Sequence, residues 1–127
     1  MAAGEMILLY EIEGEKARKL KTIFVQNGIK IKTVAKNEYL KPIGVLTGVL
    51  DEAETSEEYE GELLGEEMLV MKGIIGKRLD LLLLSMRKAK AAVSLKAVVT
   101  ETNMHWNAVQ LFQEIKEEHE AMSKGNQ

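Results

Sequence analysis

The sequence predicts a single α/β domain, a four-stranded and mostly parallel sheet with helices packed on it. Three observations carry that prediction. Short apolar segments of strand length alternate with segments of helical period along the chain. Apolar residues make up 46% of the 127, enough for one core in a chain too short for two. Glycine or asparagine stands where elements must end, at Gly14, Asn27-Gly28 and Gly73. The alternative is a ferredoxin-like α+β two-layer sandwich, with the second and third strands antiparallel. A real helix between residues 35 and 66 favours the open, three-layer sheet.

Met6 to Tyr10 is apolar without alternation, the pattern of a strand covered on both faces. Glu15 to Gln26 follows with Ala17, Leu20, Ile23 and Phe24 at helical spacing, and Asn27-Gly28 stops it. Ile29 to Val34 alternates and puts Lys30 and Lys32 on one side, which suits an edge strand. A short helix is expected at about 42–50, with Pro42 in its first turn. Residues 51–67 hold nine acids and no base, a composition that reads as a mobile acidic loop or an added helical turn outside the core. Glu67 to Lys72 is a second buried-type strand, and a helix opens at Gly76 or Lys77 and runs to about Ala92. Leu95 to Thr100 is the fourth strand. Thr102 or Asn103 caps a last helix over about 104–122, and 123–127 reads as a frayed tail. The first and third strands belong at the centre and the lysine-bearing second and fourth at the edges. No internal repeat stands out.

Composition excludes several functions. There is no cysteine, so disulfides, thiolate metal sites and cysteine nucleophiles are out. The formal charge is -3, a poor match to a dedicated DNA-coating protein. No apolar run approaches a membrane span, and the acidic start does not read as a secretory signal; a cytoplasmic protein is the expectation.

Leu95-Lys-Ala-Val-Val-Thr-Glu-Thr-Asn-Met-His-Trp106, followed by an amphipathic helix with Glu117-Glu118-His119, resembles a family of small bacterial proteins catalogued only as a domain of unknown function. The Glu67 to Gly73 strand and the Leu79 to Leu84 helix share the resemblance. It covers residues 6–34 loosely and 66–122 better, and the acidic loop has no counterpart. The resemblance implies a small bacterial cytoplasmic protein, and no activity or catalytic residue.

Two segments are candidate sites. Thr100, Thr102, Asn103, His105 and Trp106 gather hydroxyls, an amide, an imidazole and the only tryptophan at the carboxyl end of a strand, where open sheets bind ligands. Capping and core packing account for the same residues. Gly73, Gly76 and Lys77 form a strand-to-helix turn of a kind that holds anions. Its Ile-Ile-Gly-Lys run resembles the loop of KH RNA-binding domains, yet the spacing is not that of a phosphate-binding loop, Arg78 replaces the hydroxyl, and Leu79 stands where a KH loop has glycine. His105 and His119 lie 14 residues apart, about 21 Å on one helix, so no shared metal and no cofactor is expected.

Charge and apolar patterning point to partners. Residues 16–41 hold eight bases and one acid, and residues 72–96 hold seven bases and one acid. Together they form a possible basic face for RNA or a nucleotide, though aromatics for base stacking are scarce there. The acidic loop is expected to neutralise that face within the protein or a dimer. Leu81 and Leu84 form a surplus apolar stripe that suits a homodimer unless the 51–66 segment covers it. The sequence therefore reads as a small binding or regulatory module without catalysis. The alternatives are a basic-face RNA or nucleotide binder and an enzyme with a pocket around Thr100–Trp106.

Overall fold

A computed structural model describes residues 4–51 and 57–125. The elements are β1 (Met6–Tyr10), α1 (Gly14–Gln26), β2 (Lys30–Thr33), a 3-10 turn at Lys36–Glu38, α2 (Ile43–Leu46), β3 (Met68–Lys72), α3 (Gly76–Lys88), β4 (Leu95–Val98), a second 3-10 turn at Asn103–His105, and α4 (Ala108–Gly125). The sheet order is β2-β1-β3-β4. Each outer strand is parallel to its inner neighbour, and the two inner strands are antiparallel, with Met6 opposite Lys72 and Tyr10 opposite Met68. The mostly parallel sheet therefore has the expected centre and edges. The two-layer alternative fails because the second and third strands are not neighbours and both faces are covered.

The inner strands are apolar on both sides because each side meets a separate core. Ile7, Leu9, Leu69 and Met71 pack against Leu20 and Phe24 of α1 and Leu82 and Met86 of α3. Leu8, Tyr10, Met68 and Val70 pack against Tyr39, Ile43, Ala108 and Leu111. The two crossovers leave antiparallel strands in opposite directions, so one handedness brings α1 and α3 to the same face.

The structure also contains the internal repeat that the sequence hides. β1 and β3, and α1 and α3, match end to end at an offset of 62 residues. Positive φ recurs at that offset: 59° at Glu11 and 78° at Gly73, 68° at Gly14 and 62° at Gly76, 72° at Gly28 and 60° at Lys90. The halves are locked reciprocally, Ile43 N–H donating to the Trp106 carbonyl (2.9 Å) and Ala108 N–H to the Tyr39 carbonyl (3.1 Å). Few identities survive, among them Ile12 with Ile74, Gly14 with Gly76 and Leu20 with Leu82, because burial class and backbone conformation are what the repeat preserves.

Three expectations are corrected. The helix at 42–50 is a single turn, with Gly44 pressed on the second half: a Cβ there would lie 2.7 Å from the Met104 carbonyl oxygen. Neither Thr102 nor Asn103 caps the last helix. Asn107 does, exchanging bonds with Gln110 (2.9 and 3.0 Å), so α4 begins at Ala108 and continues to Gly125, past the expected fraying point. The described part of the acidic segment, Asp51 and 57–67, contains no helix. Its Tyr59 and Leu64 pack on the α2/α4-side core, so it is a strap anchored to the core. The expected loop residues 52–56 and tail residues 126–127 lie outside the described residues.

Candidate functional site

The Thr100–Trp106 segment turns the chain from the edge strand β4 into α4, and its polar groups hold that turn. The Asn103 Oδ1 accepts from the Thr100 N–H (2.8 Å), its Nδ2 donates to the Val98 carbonyl (3.0 Å), and its own N–H donates to the Thr100 Oγ1 (3.1 Å). Asn103 is buried and its side chain is spent on the loop. Trp106 is half-buried against the α2/α4-side core, whereas Thr102 and His105 are exposed. Thr100, Thr102, Asn103 and Trp106 do line a shallow hollow of about 250 Å³ with Lys96 and Glu114; His105 does not. Burial, with Arg87 nearby, pushes the Lys96 ammonium below its ordinary value, and its Nζ donates to the Val93 carbonyl (2.6 Å).

The Gly73–Lys77 turn lies at the same end of the sheet as Thr100, because β3 and β4 are parallel; Tyr10 is at the other end. Gly76 and Lys77 are exposed at the start of α3. The guanidinium beside them is occupied by the protein itself: Arg78 pairs with both Glu5 carboxylate oxygens and donates to the Asn27 carbonyl (2.7 Å). The Arg78 bond holds the Glu5 carboxyl below the usual carboxylate range.

The acidic strap is fastened at the far end by a residue the sequence did not single out. The Glu11 carboxylate accepts from the Tyr39 hydroxyl (2.8 Å) and from the N–H groups of Leu64 (2.6 Å) and Gly65 (3.0 Å). Tyr59 stacks on Tyr39 at 5.6 Å, and Lys36 Nζ donates to the Gly61 carbonyl (2.7 Å). Burial and the Glu11 bond raise the Tyr39 phenol. Its place became visible only with the structure: Glu11 stands 62 residues before Gly73, in a backbone conformation that glycine prefers.

The fastening sorts charge by face. α1 and α3 lie side by side and carry eight bases and two acids. The strap residues 57–67, with six acids and no base, lie on the other side of the sheet. Among the described residues the strap meets the basic face at its border, where Glu67 pairs with Lys16 (2.7 Å), while Glu66 pairs with Lys116 of α4 (2.7 Å). The strap also leaves the Leu81 and Leu84 stripe uncovered, at 63% and 37% exposure. Among the described residues no three histidines or carboxylates are grouped to hold a metal ion, and no helix is long and apolar enough to cross a membrane.

Residues 67–122, from β3 through most of α4, match the model of a family described as "Domain of unknown function (DUF3783)". The match spans the second half of the repeat, including both candidate segments, and assigns no activity to them. No curated protein and no solved structure matches the chain.

Proposed function

We propose that the chain is a non-enzymatic cytoplasmic binding module whose working surface is the outer side of α1 and α3, and that its partner is an acidic protein. The carrying observation is the concentration of eight bases on two adjacent helices in a molecule whose net charge is -3. Lys21, Lys77, Arg87 and Lys88 are exposed on these helices, interleaved with exposed Val25 and Leu81. Mixed basic and apolar surface suits a partner that is acidic and partly apolar. RNA is the weaker candidate, because Phe24 on this side is fully buried and Trp106 and the three tyrosines face the other core. The Gly73–Lys77 turn contributes Lys77 to the surface in this reading, and the Thr100–Trp106 segment carries no chemical step.

The test compares polyglutamate with a single-stranded RNA of equal length, at low and high salt. Polyglutamate binding should weaken with salt and fall at least tenfold in a Lys77→Glu/Lys88→Glu double variant. Tighter RNA binding through the same lysines would transfer the surface to nucleic acid, and binding of neither would end the proposal.

A second reading adds a homodimer through α3. Leu81 is 63% exposed beside a hollow of about 320 Å³ lined by Asn27, Ile29, Arg78, Leu82 and Ser85, so one copy's Leu81 fits the other's hollow. Facing α3 helices bring like charges together, so such a dimer should tighten with salt, the reverse of acidic-partner binding. Light scattering showing a monomer at high protein concentration and high salt would remove it.

A further inference from the structure

We propose that the groove between α1 and the free edge of β2 accepts an extended acidic peptide from a partner protein, which adds to the sheet as a fifth strand. This deepens the acidic-partner reading and rests on it. The groove is about 700 Å³, lined by Ala17, Arg18, Lys21, Thr22, Val25 and Thr33, with one carboxylate, Glu13, at the end where the helix begins. Gly14, Ala17, Arg18, Lys21, Thr22 and Val25 form one continuous flank of the helix, rising about 16 Å. A five-residue strand covers about 17 Å, so helix flank and added strand match in length.

Thr33 brings the edge strand β2 to the groove, and one edge of that strand is open. Lys30 and Val34 N–H groups donate inward to the Glu5 and Leu9 carbonyls (3.1 and 3.0 Å). Alternation therefore turns the N–H groups of Ile31 and Thr33 outward, toward whatever lies along β2. Peptides that add to sheet edges take their affinity from such groups and their specificity from alternate side chains. Here those side chains meet Val25, 67% exposed, and the cations Arg18 and Lys21. Arg18 is shared with exposed Glu15, and Lys21 has no ion pair among the described residues. A repeat of two apolar and two acidic residues puts both kinds on the side facing that wall, since successive side chains point to opposite faces.

The repeat supplies an internal control. On α3 the positions of Ala17 and Thr22 are taken by Leu79 and Leu84, and the concavity that includes Leu83 and Arg87, the counterparts of Lys21 and Val25, is about 80 Å³. Ala17 and Thr22 are small where α3 carries the bulkier Leu79 and Leu84, which leaves more room along α1.

The experiment measures fluorescence anisotropy of a labelled peptide repeating two valines and two glutamates with the full chain. Lys21→Glu and Thr22→Leu, both at exposed positions, should each weaken binding at least tenfold, whereas Lys77→Glu/Lys88→Glu should weaken it only a few-fold. A peptide with proline in place of each valine should not bind, since it has lost half its ladder donors. If the peptide binds but only the α3 variants weaken it, the groove is wrong and the acidic-partner reading stands. If the proline peptide binds equally well, strand addition is wrong. If no acidic peptide binds at low salt, both fail.

Discussion

Glu11 offers the sharpest test of how the strap is held, because its backbone and its side chain pull in opposite directions. At φ 59° it occupies the left-handed region, which costs a non-glycine residue roughly 1 kcal/mol. Its carboxylate accepts three hydrogen bonds, from Tyr39, Leu64 and Gly65. Hydrogen bonds to charged groups are worth about 1.5–3 kcal/mol when well buried, and about 1 kcal/mol each is apt at a half-buried site. Glu11→Ala keeps the strain and loses all three bonds, so it should destabilise the fold by about 3 kcal/mol. Glu11→Gly loses the same bonds and relieves the strain, so it should cost about 2 kcal/mol. Urea denaturation followed by circular dichroism measures both losses. Amide exchange at Leu64 and Gly65 reports the strap directly and should accelerate in both variants. Equal losses for alanine and glycine would refute the strain argument. Unchanged exchange at Leu64 and Gly65 would refute the role given to the carboxylate.

The Tyr10 hydroxyl is buried without a hydrogen-bond partner among the described residues, and burial pushes its phenol up; Tyr10→Phe should be neutral or stabilising by about 1 kcal/mol, and a clear loss in thermal denaturation would show that the hydroxyl has a partner. Asn103→Ala should cost about 2–3 kcal/mol, since it frees the Thr100 N–H and the Val98 carbonyl at once, whereas His105→Ala should cost under about 0.5 kcal/mol; equal losses in urea denaturation would contradict the structural role of Asn103. Because the Glu5 carboxyl is depressed by Arg78, its contribution is present above the ordinary glutamate value and is lost as pH falls through the folded-state value. The stability gap between the natural chain and Glu5→Gln should therefore close from about pH 6 to about pH 3, and a gap that widens would reverse the assignment.

The sheet was legible because Met6–Tyr10 and Met68–Lys72 are apolar on successive residues, which only strands covered on both faces tolerate. Their antiparallel pairing was not, since direction depends on how the 35–66 connection returns the chain, and that connection is a single helical turn and a strap. The strap read as loop because nine acids over residues 51–67 outweighed Tyr59 and Leu64, yet those two side chains and Glu11 fix its path. The Thr100–Trp106 residues were legible as a cluster, but the exchange of their polar groups within one turn depends on three-dimensional placement. The groove beside α1 was invisible for a related reason. Ala17 and Thr22 look ordinary until the bulkier Leu79 and Leu84 occupy the equivalent places in the other half.

The most direct measurement of the account is amide shift mapping by nuclear magnetic resonance while the valine–glutamate peptide is added. Shifts are expected at Ile31, Thr33 and along α1 from Ala17 to Val25, with Thr100 to Trp106 and α4 unmoved. Shifts gathered at Thr100, Asn103 and Trp106, with β2 and α1 silent, would contradict it.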